Sequence, residues 1–577
     1  MKSFKRFLCI LLTAALLLGA PGTAMAMEGE ETTVADITLG EAPDIIFGGP
    51  ASEGEPEESG ELGAQTPAQE ELLPVQQGFA IAPGEDVSQY PVLRIAGGQH
   101  TMFYNEGTPS QTEAFNPDKT MNQENFAFVL DELRDFGIRK NWKYMEDTVI
   151  KFFWNSYGML EMKPDGTSLD PGITCKIEKD WYEPNWLGDR NFTFDWRLDP
   201  WDIADELEVC INAVLTATGA GKVNIVGMSG SGAVLLCYLK NYGTDKLASA
   251  MFNISMHGGT TLFGDLATKK LALNTKALGH TNPLVISANE VEGMSFDPLG
   301  ALFRVLYESG MLDILGKTAN LGISWCLDRL YDEMIIPLFF QMPALWCQVP
   351  PAQFEQAKQM MLKGDPKYAE LVRKIDRYHK EVLKYQNEII QEAASKIKVA
   401  VRTGYGMPLY PITENSYANG DNYVDAKYAS FGATCAPLDK PFPSRYEQQV
   451  PGDKNYISPD RLVDASTCAL PSLTWLSRGQ PHRSECLFNG WYDWFLKKEG
   501  DYSVFANPDF PQYSDYIKES EYVPLEPKPG SPVLDFIVSV GLWFLKVWRF
   551  ILTAPMLWME IPLFSKIIMW LQRNEIL

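Results

Sequence analysis

The run Val223-Asn224-Ile225-Val226-Gly227-Met228-Ser229-Gly230-Ser231-Gly232-Ala233-Val234-Leu235-Leu236 leads from an apolar stretch through a serine among small residues and back into apolar sequence. It reads as a buried strand, a tight turn and a hydrophobic helix, the arrangement of a nucleophile elbow. In such an elbow the serine sits in a strained turn, and the residues two before and two after it are small so that neighbouring backbones can approach. Gly227 meets the first requirement, and Ser231 stands where a second glycine is usual. Taking Ser231 as the nucleophile would put Ser229 and Ala233 at the small positions but push the serine into the helix. Ser229 is therefore the preferred candidate.

A serine hydroxyl is a weak nucleophile until a histidine accepts its proton, and that histidine needs a carboxylate to hold its tautomer. The chain has five histidines. In folds carrying such an elbow the chain order is Ser, acid, His. His100 precedes the elbow, His257 and His280 follow it closely, and His379 lies in a helical stretch. That leaves His482, in a loop immediately past what reads as the last core strand, Ser472 to Ser477. The acid should follow the preceding strand, Lys398 to Thr403. There Gly420-Asp421-Asn422-Tyr423-Val424 offers Asp421, with Asp425 as runner-up and Glu414 behind it. A developing oxyanion needs two backbone N–H donors. The expected pair is Gly230, directly after the nucleophile, and Gln99, in the Gly97-Gly98-Gln99 turn after the first strand. His257, at the end of the strand after the elbow, reads as a hydrogen-bonded structural histidine.

These residues must be carried by a framework. Tyr90 to Ala96 and Leu247 to Met256 read as short buried strands, and Asn122 to Phe136 and Pro200 to Thr218 as helices. Alternation of short apolar strands with helices predicts an α/β fold with a mainly parallel sheet covered on both faces. After about Gly293 the pattern becomes helix upon helix. Tyr368, Leu371, Ile375, Tyr378, Val382, Tyr385 and Ile389 step by three and four residues as one long amphipathic helix. Before it, Met334 to Phe340 and Met342 to Trp346 are apolar and broken by proline. The expectation is an inserted helical cap whose apolar turns either pack on the sheet domain or form a lipid-facing lid.

The ends bound the compartment. Lys2, Lys5 and Arg6 precede the apolar run Phe7 to Leu18, and Ala24-Met25-Ala26 offers a cleavage site, as in a secretory signal. Export is expected. From Met27 to Leu93 there is no lysine or arginine, so much of the net charge of −24 belongs to a solvated acidic tether. No basic domain appears, which disfavours nucleic acid as a partner. Eight cysteines remain beyond the signal, none at CxxC spacing. Cys210 and Cys237 read as buried thiols, while Cys435, Cys468 and Cys486 lie in loop-rich sequence that has room for one bridge. Val533 to Ile568 is rich in Trp, Phe, Leu and Ile, with Asp535, Ser539, Lys546, Arg549, Thr553 and Glu560 on one narrow stripe. This suits a helix lying in a membrane interface, with a helix docked on the protein's own core or a true span as the alternatives.

Phe194-Asp195-Trp196-Arg197-Leu198, the elbow and Gly420-Asp421-Asn422-Tyr423-Val424 together resemble the lecithin:cholesterol acyltransferase and lysosomal phospholipase branch of the α/β-hydrolases. The resemblance covers roughly Tyr90 to Phe505 and is weakest in the cap. It departs from the family pattern at Met228, where many relatives have His, at Ser231, and in the long interval from Asp421 to His482. It implies acyl transfer from a lipid ester to water or another alcohol through an acyl-serine, with no metal or organic cofactor. The expected organisation is a signal (1–26), a tether (27–88), an α/β-hydrolase domain (89–293 and 398–522) interrupted by a cap (294–397), and a membrane-associating tail (533–572). Two other readings use the same fold: a catalytically inactive binding module, and a small-ester esterase or peptidase.

Overall fold

A computed structural model describes residues 80–97, 101–116, 142–175, 190–280, 303–304, 306–482, 490–518 and 521–526. The expected signal, most of the tether, Gln99, His100, the 122–136 helix, Cys486 and the 533–572 tail lie outside the described residues.

Eight strands form the central sheet: β1 (Val92–Ile95), β2 (Arg190–Phe192), β3 (Val223–Met228), β4 (Leu247–Asn253), β5 (Lys398–Tyr405), β6 (Thr474–Arg478), β7 (Tyr513–Lys518) and β8 (Glu521–Pro524). Their order across the sheet is β8-β7-β6-β5-β4-β3-β1-β2. Every neighbouring pair is parallel except the β7–β8 edge pair. The molecule is thus an α/β protein with a mainly parallel sheet. All residues of β4 and β5 are buried. Since successive side chains point to opposite faces, both faces of the sheet centre are covered. The strand carrying Trp475 is followed by two more, β7 and β8, so it is not the last of the sheet. The polar Tyr-Ser-Asp-Tyr-Ile-Lys of β7 lacks the continuous apolar run of a central strand, and its place one strand in from the β8 edge of the sheet permits that.

Helices α1 (Trp142–Tyr157), α2 (Pro200–Thr218) and α3 (Ser231–Tyr242) precede β4. The bounds of α2 follow from its ends. The Asp199 side chain accepts the Trp201 N–H, proline occupies the first turn, and Gly219 closes the helix at φ 69°. Between β4 and β5 the described elements are helical: α4 (Thr261–Ala267), a short turn of helix at Thr275–His280, α5 (Met311–Leu330), short turns over 331–346, α6 (Pro351–Leu362), α7 (Ala369–Arg377) and α8 (Gln386–Ala394). The single helix expected across Tyr368 to Ile389 is broken by a wide π turn at Tyr378–Val382 and a 3₁₀ turn at Leu383–Tyr385. The π turn lets two consecutive residues face inward: Tyr378 bonds the His257 carbonyl at 2.8 Å, and His379 Nε2 meets the Trp346 carbonyl at 2.9 Å. The proline-broken turns bury Ile336, Leu338, Phe340, Met342, Leu345 and Trp346 in the main core, the packed alternative of the two expected.

Gly84 and Val87, in sequence read as tether, are already part of the fold. Gly84 bridges Gly500, and Val87 is buried. The Lys398 ammonium supplies the reason, donating to the carbonyls of Glu85, Leu496 and Lys498 at 2.6 to 3.1 Å. Cys210 and Cys237 are buried thiols as expected, and Cys435 and Cys468 are both free. Among the described residues no helix is long and apolar enough to cross a membrane.

Candidate active site

In a parallel sheet all strands end at one edge, and loops leaving that edge converge. Ser229 follows β3, Asp421 lies in the loop after β5, and His482 lies in the loop after β6. Ser229 has φ 54°, a left-handed conformation uncommon for a residue with a side chain and the strain expected of the elbow. The turn is pinned from several sides. Ser229 N–H donates to the Asn253 carbonyl at 3.1 Å, and the Ser229 carbonyl accepts from Met256 N–H at 2.9 Å and Gly232 N–H at 3.1 Å.

Ser229 Oγ lies 2.8 Å from His482 Nε2, and His482 Nδ1 lies 2.9 Å from Asp421 Oδ2. The Asp421 side chain is fully buried. Its other oxygen accepts the N–H groups of Tyr423 at 3.0 Å and Val424 at 2.7 Å, while the Asp421 carbonyl accepts from His482 N–H at 2.9 Å. The carboxylate and the histidine loop are therefore fixed to each other by backbone as well as by side chain. With Nδ1 donating to Asp421, Nε2 is left as an acceptor for the Ser229 hydroxyl, the tautomer that proton abstraction requires.

The alternatives are occupied elsewhere. Asp425 accepts the N–H and hydroxyl of Thr261 at 2.7 and 2.6 Å, capping α4. Glu414 is exposed. Ser231 is fully buried, and its hydroxyl receives the Met228 N–H at 2.7 Å and lies 2.7 Å from the Met228 carbonyl and 3.2 Å from that of Ile95. The serine at the second small position thus staples the elbow to the end of β1. His257 is buried, stacked on Phe431 at 3.6 Å, with Nδ1 2.8 Å from Ser255 Oγ; burial pushes it down to about 3. His379 is likewise buried and pushed down to about 4, and His280 Nδ1 lies 2.8 Å from the Lys276 carbonyl.

Ser229, Gly230 and His482 border a cavity of about 230 Å³ whose other walls include Gly97, Phe194, Trp196, Met228, Met256, Phe263, Leu345 and Tyr423. The Gly230 amide begins the first turn of α3, where N–H groups have no partner within the helix. Gln99, the second expected donor, lies outside the described residues; Gly97 reaches the cavity from the same turn. Phe194 and Trp196 owe their placement to the residues beside them. The buried Arg197 guanidinium pairs with both oxygens of Asp195 at 2.9 and 2.7 Å and reaches the Leu160 and Ile173 carbonyls. A second cavity of about 150 Å³, lined by apolar and aromatic side chains, shares Trp196, Phe263, Leu345 and Tyr423 with the first.

Three contributors were not singled out from sequence. Tyr423 stacks on His482 at 5.1 Å. Met256 places Sδ 3.3 Å from Ser229 Oγ. Gly404 lies where a Cβ would stand 2.3 Å from the Gln480 carbonyl oxygen and 2.8 Å from Asp421 Cβ, so the absence of a side chain lets the loops carrying Asp421 and His482 approach. A glycine inside a strand is the signal that marks such an approach. Among the described residues no group of three or more His, Cys, Asp or Glu side chains is arranged to hold a metal ion.

No family model matches the chain, and no curated protein does. A solved structure described as the crystal structure of the Tle4-Tli4 complex aligns at 11% identity and a TM-score of 0.22, over 55% of this chain and 74% of that one. A likeness of that size carries no argument about fold or activity.

Proposed function

We propose that this chain is an exported serine acyl hydrolase or acyltransferase on an α/β-hydrolase fold, acting on lipid esters. The observation that carries the reading is the hydrogen-bonded line from Ser229 Oγ through His482 to a buried Asp421, at 2.8 and 2.9 Å, beginning at a serine with φ 54°. Strain of order 1–3 kcal/mol at one residue persists only where the surrounding structure over-determines it.

In this reading Ser229 Oγ attacks the ester carbonyl while His482 Nε2 takes its proton, and Asp421 stabilises the imidazolium. The oxyanion accepts from the Gly230 N–H and from a donor in the turn after β1. His482 then protonates the departing alcohol, leaving an acyl-Ser229. Water or a second alcohol, deprotonated by the same nitrogen, releases the acyl group.

Two features support a lipid ester over a small ester or a peptide. The site opens beside an apolar cavity sharing four walls with it, a place for an acyl chain and not for a charged side chain. On the cap, α5 carries Leu321 at 51% exposure, apolar surface suited to meeting lipid.

The test is a fluorophosphonate probe, in which the serine oxygen bonds phosphorus and fluoride leaves, applied to the purified protein with lipid vesicles present. Labelling at Ser229, lost in Ser229→Ala and His482→Ala, is the expected result. Absence of labelling in a folded protein overturns the reading and leaves a binding module on this fold.

A further inference from the structure

Among the described residues the Ser229 hydroxyl has two neighbours able to accept its single hydrogen. One is His482 Nε2 at 2.8 Å, and the other is the thioether sulfur of Met256 at 3.3 Å. A thioether is a weak acceptor, so with His482 neutral the hydrogen goes to nitrogen. Met256 cannot easily move aside. Its N–H donates to the Ser229 carbonyl at 2.9 Å, and it belongs to a buried cluster with Val424 and Ala429 against which Phe263 and Tyr423 pack. Met256, though buried, is nevertheless one of the residues lining the 230 Å³ cavity, which has room for several molecules the size of water.

From this we infer that Met256 is an oxidation site that switches off Ser229, with hydrogen peroxide or a similar small two-electron oxidant as the reagent. The inference rests on Ser229 being the nucleophile. In the step, a sulfur lone pair attacks one peroxide oxygen, the O–O bond breaks, and that oxygen stays on sulfur as the sulfoxide. The other oxygen leaves as water after a proton shift. Sulfur is oxidised by two electrons and peroxide is reduced by two. The product carries a strongly polar acceptor where a weak one stood. On the Ser229 side of the sulfur, the new oxygen either takes the hydroxyl hydrogen from His482 or displaces the hydroxyl from it. Turned instead into the buried apolar cluster that Met256 shares with Val424 and Ala429, it would be an unpartnered polar atom, which is disfavoured. The first placement is therefore preferred, and it separates nucleophile from base.

Met228 provides an internal comparison, because it also borders the cavity but shows no bond to the Ser229 hydroxyl. The experiment exposes the full chain, Met256→Leu and Met228→Leu to graded peroxide. Sulfoxide at each methionine is mapped by mass spectrometry, and the fluorophosphonate labelling rate is measured relative to each protein's own untreated rate. In the wild type the rate should fall in step with Met256 sulfoxide, by about 10²-fold or more at completion, the lower end of what a general base contributes. Met228→Leu should behave like the wild type, and Met256→Leu should retain its rate at the same dose. Labelling that survives oxidation of Met256, loss of labelling in Met256→Leu to the same extent, or oxidation of Met228 while Met256 stays reduced would each overturn the inference and leave the acyl-transfer reading standing. Absence of labelling before any peroxide overturns both.

Discussion

Asp421 and Asp425 stand four residues apart in one loop, both buried, and serve different partners. Asp421 gives one oxygen to His482 and the other to the amides of Tyr423 and Val424, whereas Asp425 gives both of its oxygens to Thr261 at the start of α4. Sequence spacing alone left both as candidates for the same role. The structure separates them by what each carboxylate touches.

The pair yields opposite expectations for one substitution. In Asp421→Asn the amide oxygen can still accept the two backbone amides, but the NH₂ group faces His482 Nδ1 and favours the wrong tautomer. Fluorophosphonate labelling should fall by roughly 10⁴-fold with the melting temperature little changed. Asp425→Asn should keep labelling within a few-fold while losing about 1–2 kcal/mol of stability, since it weakens a charge-assisted cap on α4. Labelling kinetics and urea titrations on both variants check the separation.

Local chemistry made part of this architecture readable. Asp199-Pro200 and Gly219 mark the ends of α2, and the apolar run from Val223 marks β3 with its elbow, because caps, proline and strand apolarity act within a few residues. Ser229, Asp421 and His482 could be named as candidates because chain order, the number of histidines and the position of loops after strands restrict the choice. What stayed hidden depends on long-range packing. The π turn at Tyr378–Val382 exists so that Tyr378 and His379 can both bond into the core, and a spacing of three and four does not announce one extra residue. Met256 and Tyr423 reach Ser229 and His482 only through the meeting of loops 27 and 59 residues away in sequence from their partners.

Ser231 occupies a position where glycine would serve, and its hydroxyl joins Met228 to the end of β1. Ser231→Gly should leave the labelled residue as Ser229 while costing about 1–2 kcal/mol, the loss of a buried hydrogen-bonding group plus added backbone freedom. Urea unfolding and peptide mapping on the same preparation test this. Labelling that vanishes in Ser231→Gly yet persists in Ser229→Ala would instead identify Ser231 as the nucleophile.

Gly404, by having no side chain, lets the Asp421 loop and the Gln480–His482 loop come together. In Gly404→Ala the new methyl meets the Gln480 carbonyl and Asp421 Cβ, both backbone-fixed, so the loops must part. Overpacking of this kind costs about 1–3 kcal/mol. Because the displacement falls directly on the Asp421–His482 contact, labelling should drop by about 10²-fold or more even where the protein stays folded. An unchanged labelling rate would show that labelling does not depend on the close approach of the Asp421 and His482 loops.

His257 and His379 are buried, and desolvation pushes them down to about 3 and about 4 from an ordinary value of 6.5. Both are therefore neutral in the folded chain while the unfolded chain takes up protons near pH 6.5. Between pH 6.5 and about 4 the unfolded state binds more protons, so stability is complete above pH 6.5 and declines as the pH falls. Each histidine contributes a slope of about 1.4 kcal/mol per pH unit within that window. His257→Phe keeps a flat ring against Phe431 and removes one of the two titrations. Urea unfolding of both proteins at several pH values between 7.5 and 4.5 should show the variant losing stability less steeply, the gap growing by about 1.4 kcal/mol per unit below pH 6. Carboxylates common to both proteins cancel in that difference. Parallel curves would mean that His257 accepts its proton without unfolding, which its stacking on Phe431 and its bond to Ser255 argue against.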